Sequence, residues 1–329
     1  MQGTLPKTGV NMSKIQLTPS ITTLCLNPAL DVTYHVSKLI PEQKSRSDVA
    51  RHDPGGNGIN IGRALQRMHV NAHTFCIVAG DIGLLLQQLL KQQLIDVTYE
   101  YVDGQTRINS TIIEIDTKMQ YQVTDAGTDI PQQQLTTIIE NFVSQTGSGF
   151  GIITGSCQSN IPNSLYAKLV ERINANGGKP VVDTHGDSLR HAIDAKPYLI
   201  KPNQYELEAI IKRKLPTIHD IANEARCLQR QGINYVCVSL GDRGAVLVGP
   251  DNSYYAQALD VLVNTTVGAG DSMVAGLVSG LSLDDDPQQA LRLGIACGAG
   301  TVMHPGTELF SADEVVAFRQ AVNIEILNI

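Results

Sequence analysis

The sequence predicts an α/β protein with a mostly parallel sheet covered by helices on both faces, and with a small antiparallel sheet apart from it. From residue 131 onward, short apolar runs alternate with helical runs, and this rhythm is typical of crossover units with buried parallel strands. Residues 32–52 and 97–123 instead contain polar or alternating extended runs, which cannot be buried on both faces. We expect these two segments to form a lid.

The length of the chain and its lack of an apparent linker favour a single globular domain. The 329 residues are 42% hydrophobic, enough for one large α/β domain or two smaller ones. With no internal repeat or linker apparent, we predict an N-terminal extension at 1–19 and a single domain at 20–329. Apolar runs stay below the roughly 18 residues that span a membrane, and no secretory signal is evident. A cytoplasmic protein is expected.

The net charge limits the kinds of binding partner, and the cysteine spacing limits the kinds of metal or disulfide site. The formal charge of −7 argues against nucleic-acid or membrane partners. An anionic substrate would therefore need a local group of Lys, Arg and backbone N–H. The six cysteines stand far apart without CxxC or Cys/His spacing, which favours reduced core residues over metal ligands or disulfides.

In the first half, apolar runs punctuated by Pro and Gly predict two buried strands, two helices and the lid. Pro28 ends the first strand, so that Asp31 is expected just past its carboxyl end. Residues 116–118 are expected to turn a hairpin of the lid. The predicted elements are a strand at 21–26, a helix opened by 54–60, a strand at 74–79, a helix at 84–94 and lid strands at 107–115 and 119–123.

The second half is predicted to continue as crossover units. Strands are expected at 151–154, 180–183, 198–201 and 235–239, followed by a hairpin from 244 to 255. Helices are expected at 135–142, 165–173, 203–212, 218–231, after residue 271, at 287–303 and at 312–322.

A glycine-rich helix start at 268–271 is the central motif. Gly268, Ala269 and Gly270 leave the backbone nearly bare before an apolar helical run, which predicts a nest of N–H groups for a phosphate. A phosphate would repel the Asp271 carboxylate, so an acid at this position indicates a role of its own, such as taking a proton from an attacking hydroxyl. The alternative is a flexible turn with Asp271 as an ordinary cap.

A second glycine-rich helix start, at 55–58, would let backbone approach a ligand, although plain packing explains it equally well. Ligands of an open parallel sheet lie at the carboxyl ends of its strands. The polar or glycine positions expected there are Asp31, Ser156, Asp183, Asn203, Glu206, Ser239, Gly241 and the 268–271 loop.

Two of these strand ends, and a group of cations on the lid, have alternative interpretations. Asn203 and Glu206 share one face of a helix start and could hold a hydrated Mg²⁺, or form a capping box, or both. The 239–244 turn is a candidate nucleotide wall or an ordinary turn. Lys44, Arg46 and Arg107 on the lid are solvated charges unless they converge on a sugar phosphate.

Four motifs in order resemble the ribokinase-like (PfkB) sugar kinases over about residues 20–322. They are Gly55-Gly56-Asn57-Gly58-Ile59-Asn60, Lys201-Pro202-Asn203-Gln204-Tyr205-Glu206, Ser239-Leu240-Gly241 and Val267-Gly268-Ala269-Gly270-Asp271. The phosphofructokinase branch is the most similar, on Asn27-Pro28-Ala29-Leu30-Asp31, Thr265-Thr266 and Thr106-Arg107. The resemblance implies a three-layer α/β/α sandwich with a β lid, ATP and Mg²⁺ as cofactors, and a homodimer through the lid.

The resemblance also implies roles for single residues. Asp271 would be the base, with Gly268, Ala269 and Gly270 as the anion hole. Sugar hydroxyls would contact Asp31, Gly55, Gly56 and Asn60, and the substrate phosphate Lys44, Arg46, Arg107 and Ser156. ATP would contact Lys201, Asn203, Ser239, Gly241 and Gly244, and Mg²⁺ would lie near Asn203 and Glu206.

Departures from the family pattern leave the substrate open. Relatives have lysine or glycine where this chain has Asn57, and residues 157–158, in the loop beside the substrate, also differ from the family pattern. Residues 303–306 differ from the pattern expected beside a monovalent-cation site, so that K⁺ is only a candidate. The pair Lys44 and Arg46 favours fructose 6-phosphate as acceptor. The alternatives are 1-phosphofructokinase, tagatose-6-phosphate kinase, a kinase of unphosphorylated sugars or nucleosides, and a non-catalytic sugar-phosphate-binding protein. A nicotinamide oxidoreductase is disfavoured because 55–58 is not G-x-G-x-x-G.

Overall fold

The computed structural model describes residues 20–283 and 286–329; the predicted extension at 1–19 lies outside the described residues. The strands are β1 (Ile21–Cys25), β2 (Ala29–Val36), β3 (Ala50–Gly55), β4 (His73–Ala79), β5 (Asp96–Val102), β6 (Arg107–Glu114), β7 (Gln120–Val123), β8 (Phe150–Thr154), β9 (Lys179–Asp183), β10 (Leu199–Ile200), β11 (Tyr235–Ser239), β12 (Ala245–Val248), β13 (Ser253–Ala256) and β14 (Ile324–Ile326).

The helices cover both faces of the larger sheet. They are α1 (Asn57–Arg67), α2 (Gly80–Leu90), α3 (Gln132–Thr146), α4 (Leu165–Ala175), α5 (Gly186–Asp194), α6 (Gln204–Ile211), α7 (Ile218–Arg230), α8 (Ala269–Leu283), α9 (Pro287–Val302) and α10 (Ala312–Ala321). No helix in the described ranges is long and apolar enough to cross a bilayer.

The larger sheet has the strand order β14-β13-β12-β11-β10-β9-β8-β1-β4-β5. Pairing is parallel from β11 to β5, and antiparallel from β11 to β14. Alternate residues of a strand face opposite cores: Ile153 packs with Phe142 and Leu169, whereas Ile152 packs with Leu277 and Leu291. Helices α3 to α7 thus cover one face, and α1 with α8 to α10 covers the other, which confirms the three-layer α/β/α fold.

The small sheet also forms, with the order β3-β2-β6-β7. Its β2–β3 and β6–β7 pairs are antiparallel, whereas the central β2–β6 pair is parallel. Parallel pairing is possible there because two helices and two strands of the larger domain intervene between β2 and β6, which gives the chain room to cross over.

Several expectations need correction. Residues 97–102 belong to β5 at the edge of the larger sheet rather than to the lid, since an edge strand with one exposed face has the same alternating pattern as a lid strand. Asp31 lies inside β2 of the lid, opposite Asp53, and not in a loop after β1. Helix α5 and strand β14 were not predicted, because α5 is short and largely polar and β14 has only three residues.

Candidate active site

Helix α8 begins at the predicted glycine loop. Gly268 has φ of +79°, a conformation that suits glycine. Its carbonyl accepts a 2.9 Å hydrogen bond from the Ser272 amide, and the Ser272 hydroxyl lies 2.7 Å from that of Thr301 on α9. The N–H groups of Ala269, Gly270 and Asp271 therefore belong to the first turn of a helix that α9 fixes, and the first turn is where a helix attracts anions.

Asp271 is buried and bonded through both carboxylate oxygens. Oδ1 accepts a 2.8 Å hydrogen bond from Asn57 Nδ2, and Oδ2 accepts one of 2.9 Å from Asn60 Nδ2. Burial, and then the nearby charge of Asp183, raises the pKa of Asp271 to about 6, against the opposing effects of Asn60, Asn57 and Lys201. A carboxylate with this pKa is ionised at neutral pH and can still accept a proton.

The second glycine-rich helix start carries three of the sugar-site candidates, of which Asn60 contacts Asp271. Gly56 has φ of +110° at the N-cap of α1, and a Cβ there would lie 2.7 Å from Cys25 Sγ. At Gly55 a Cβ would collide with the carboxylate of Asp31. Close packing thus requires glycine at both positions. Because Gly55 has no side chain, the Asp31 carboxylate can lie against the backbone just before Asn57 and Asn60.

Asp31 is the second carboxylate with a perturbed pKa. Burial raises the pKa of Asp31 to about 6, although a hydrogen bond from Asn109 and the charge of Arg107 oppose the increase. Asn109 Nδ2 donates to Asp31 Oδ1 at 2.9 Å. Asp31 also lines a cleft of about 670 Å³ between the lid and the loops at 263–267 and 305–307.

Lys201 lies at the other side of the α8 helix start. Its ammonium Nζ would be 3.4 Å from a Cβ at Gly270, and it pairs with Asp183 Oδ1 at 3.1 Å. Burial lowers the pKa of Lys201, but Asp183, together with the charges of Glu206 and Cys237, more than compensates and leaves the pKa above its usual value. A charged lysine is therefore held beside the predicted anion nest.

The predicted nucleotide residues are neighbours. The Ser239 amide donates to the Pro202 carbonyl at 3.1 Å, which places the end of β11 beside Asn203. Gly241 has φ of +64°, whereas Gly244 has φ of +92° and packs so tightly against the Ala256 carbonyl that a Cβ would collide with it. Packing alone thus requires glycine at 244, and nucleotide contact there stays a prediction.

Asn203 and Glu206 form the capping box that the sequence allowed. Asn203 Oδ1 accepts from the Glu206 amide at 2.9 Å, and Glu206 Oε2 accepts from the Asn203 amide at 2.8 Å. Burial raises the pKa of Glu206. Among the described residues, no group of three or more His, Cys, Asp or Glu is arranged to hold a metal. This donor set fits a hydrated Mg²⁺, which keeps waters and takes only one or two protein carboxylates.

The predicted substrate-phosphate residues do not all converge. Arg107 donates to the carbonyls of Asn27 and Asp125, and Ser156 is half-buried in the loop after β8. Lys44 and Arg46 lie exposed on the segment between β2 and β3 and do not line the cleft. Within one chain, only Arg107 and Ser156 are near the sheet edge that carries the other candidates.

Comparison with known proteins decides the family. The profile of the pfkB family carbohydrate kinases matches residues 24–314, which is most of the chain. The chain belongs to the pfkB family. It is therefore an ATP-dependent phosphotransferase and a phosphofructokinase-type sugar kinase.

Its relatives within the pfkB family carry two kinds of name. The chain is 30% identical to 1-phosphofructokinase from Bacillus subtilis, over 88% of this chain and 95% of that protein. It is 29% identical to ATP-dependent 6-phosphofructokinase isozyme 2 from Mycobacterium tuberculosis, over 91% and 89%. The structure of phosphofructokinase-2 from Escherichia coli in complex with potassium superimposes with a TM-score of 0.87 at 28% identity, over 92% of this chain and 99% of that one.

The structure of this pfkB-family chain also reveals contacts that sequence reasoning missed. Asn57 contacts the candidate base directly, Asn109 contacts Asp31, and Arg63 contacts Asn60. Asn57 was considered only as a departure from the family pattern, and no contact with Asp271 was predicted for it. The other two could be found only by asking which polar residues face the site from α1 and β6.

Proposed function

We propose that this chain phosphorylates fructose 6-phosphate to fructose 1,6-bisphosphate with ATP, and that Asp271 is the catalytic base. The observation that carries the proposal is the position of Asp271 between two glycine-rich helix starts. Its carboxylate is tied to Asn57 and Asn60 on α1, and it belongs to the first turn of α8. One helix start thus faces the phosphoryl group, and the other faces the sugar.

The residues divide the work of phosphoryl transfer. Asp271 takes the proton of the attacking sugar hydroxyl, late in the step, because a loose transition state needs little early help from a base. The N–H groups of Gly268, Ala269 and Gly270, with Lys201 beside them, stabilise negative charge on the transferred phosphoryl oxygens. Mg²⁺ near Asn203 and Glu206 would neutralise charge on the ATP phosphates.

The sugar is held by Asp31, Gly55, Gly56 and Asn60, and its phosphate by Arg107 and Ser156. Because Lys44 and Arg46 are exposed in the isolated chain, they reach a substrate phosphate only if two lids pack together. We therefore include a homodimer through the lid in the proposal, together with a cytoplasmic location.

A second acceptor, fructose 1-phosphate, is favoured by the similarity to 1-phosphofructokinase from Bacillus subtilis. Both reactions use a fructose phosphate and differ in which end already carries the phosphate. The base, the anion nest and the nucleotide residues serve either reaction equally, so the position of the cationic side chains decides between them.

Coupled ADP-release assays on fructose 6-phosphate, fructose 1-phosphate, tagatose 6-phosphate and ribose would test the proposal. We expect the highest kcat/KM for fructose 6-phosphate. A higher value for fructose 1-phosphate would establish the second acceptor, and absence of turnover on all four would refute kinase action on these sugars. Replacing K⁺ by Na⁺ in the same assay tests whether the enzyme requires a monovalent cation. The carbonyls of Val302 and Met303 are unpromising ligands for such a cation, because they already accept hydrogen bonds from residues 264 and 265.

A further inference from the structure

Arg63 on α1 is a buried cation that the proposed chemistry does not use. Its residue is only 3% exposed. Nε donates to Gln93 Oε1 at 2.6 Å, and Nη1 lies 3.2 Å from the carbonyls of Pro54 and Thr307. Nη1 also lies 3.2 Å from the side-chain oxygen of Asn60. Arg63 thus joins the end of lid strand β3, the loop before α10 and a residue that contacts Asp271.

Keeping this charge buried is costly. The acceptors bonded to Arg63 are neutral oxygens, and burial lowers the pKa of Arg63 to about 10 while the charge of Asp53 opposes the decrease. The group still carries its proton at neutral pH. Burying a charge costs desolvation free energy even when its hydrogen bonds are satisfied. A neutral side chain of similar size would fill the same space without that cost.

A guanidinium offers one property that a neutral side chain lacks: it can only donate hydrogen bonds. The atom of Asn60 that faces Arg63 must therefore be the acceptor Oδ1. The other end of the same carboxamide, Nδ2, is then forced to face Asp271 Oδ2, at 2.9 Å. Asn60 is therefore held from both ends, by Arg63 at Oδ1 and by Asp271 at Nδ2.

We propose that Arg63 is a positioning residue, which holds the Asn60 carboxamide in the orientation that keeps a hydrogen-bond donor on Asp271. This inference rests on the proposed function insofar as Asp271 is the base. With Arg63 removed, the Asn60 carboxamide is held only from the Asp271 side and can move away, so that Asp271 loses a firmly oriented amide donor.

Loss of the hydrogen bond from Asn60 should change the pKa of Asp271 in one direction only. The hydrogen bond from Asn60 lowers the pKa of Asp271, against burial and the charge of Asp183, and Asn57 and Lys201 act in the same direction as Asn60. Asn57, Asp183 and Lys201 do not contact Arg63 and stay in place. Removing Arg63 therefore raises the pKa of Asp271, and turnover begins to fall at a higher pH than in the wild type.

The decisive variants are Arg63→Met and Arg63→Leu, which have no side-chain donor, with Arg67→Met as the matched control. Arg67 lies one helical turn later on α1 and donates to the carbonyls of Leu309 and Phe310, without contacting a side chain of the site. We expect the two Arg63 variants to lower kcat about tenfold or more and to move the acidic limb of kcat upward by at least about half a pH unit. Arg63→Lys, which keeps a donor, should restore the limb.

A double-mutant cycle with Asn60→Ala tests the route. If Arg63 acts through Asn60, then Arg63→Met should have little further effect on kcat in the Asn60→Ala background. Additive losses, or a limb that Arg67→Met moves as far as Arg63→Met does, would overturn the inference and leave Arg63 a packing residue.

A readout independent of turnover separates this inference from the proposed function. The Asp271 carboxyl band, obtained by infrared titration with the spectrum of Asp271→Asn subtracted, should titrate at higher pH in Arg63→Met than in the wild type. An unmoved band refutes the inference. A moved band with full activity in Asp271→Asn would instead refute the assignment of the base.

Discussion

Asn57, the first residue of α1, donates a 2.8 Å hydrogen bond to the carboxylate of Asp271 in the first turn of α8, 214 positions further along the chain. Asn60 donates to the other oxygen of the same carboxylate. Two helix starts thus meet at one buried acid. Because each oxygen has a neutral donor, the carboxylate is oriented without being neutralised, and it remains basic enough to take a proton.

Replacing that acid should abolish chemistry and spare binding. We expect Asp271→Asn to fold, to bind ATP and the sugar phosphate, and to lose at least about a thousandfold in kcat. Steady-state kinetics and calorimetric titration of both substrates measure the two parts separately. Turnover like that of the wild type would refute the base assignment.

Two carboxylates should govern activity below neutral pH. Asp271 and Asp31 both have a raised pKa of about 6, and each must be ionised to accept a proton or a hydroxyl hydrogen. We therefore expect log kcat/KM to fall below about pH 6 with a slope approaching two. Asp31→Asn should weaken substrate binding and reduce the slope to one. A wild-type slope of one from the outset would mean that only one of these carboxylates titrates in the free enzyme.

The same shift predicts how stability depends on pH. The pKa of Asp271 is higher in the folded protein than its usual value of 3.8, so the folded state binds the proton more tightly. The stabilising contribution is complete below about pH 4 and is lost as pH rises through about 6. Between pH 5 and 8, the free energy of unfolding should therefore decline less steeply in Asp271→Asn than in the wild type, as urea titrations at several pH values can measure.

The fold was largely predictable from the sequence, because apolar periodicity and glycine-rich helix starts are local signals. The β5 assignment failed because residues 96–102 alternate between polar and apolar types and are mostly half-buried, and an edge strand of the large sheet then has the same sequence pattern as a strand of the lid. The site was predictable where glycines mark it. Asn57 and Arg63 were not, since their importance depends on which atoms α1 brings to Asp271, and helical spacing alone carries no information on that contact.

The lack of a side chain at Gly55 should matter for the sugar and not for ATP. A Cβ at this position collides with the Asp31 carboxylate, so Gly55→Ala must displace it. We expect KM for the sugar phosphate to rise about tenfold or more, while KM for ATP stays near its wild-type value. Gly298→Ala is the control, because a Cβ there lies at an ordinary 3.5 Å from the Ala269 carbonyl. An equal rise in both KM values would indicate general damage instead.

The buried pair of Lys201 and Asp183 should contribute to stability as well as to phosphate binding. Their side chains are 6% and 12% exposed, and Lys201→Met leaves Asp183 without its counter-charge. We expect a loss of about 3–5 kcal/mol in the free energy of unfolding. The double variant Lys201→Met, Asp183→Asn should recover much of that stability in urea titrations but not the lost kcat. Recovery of both would show that Lys201 has no part in phosphoryl transfer.

An apolar face of the lid should carry the proposed dimer. Tyr121 and Val123 of β7 pair with Ile112 and Ser110 of β6, and these residues alternate with Asn109, Thr111 and Ile113, which line the cleft together with Ser110. The outer face is therefore the one that exposes Val123, at 65%, and Ile108. An exposed apolar patch of this kind favours association. We expect the wild type to elute as a dimer in size-exclusion chromatography with light scattering, and Val123→Asp as a monomer with a raised KM for the sugar phosphate, because Lys44 and Arg46 no longer reach it. Val316→Asp, at an exposed position of α10, should leave both properties unchanged. A monomeric wild type with full activity would separate substrate binding from the lid interface.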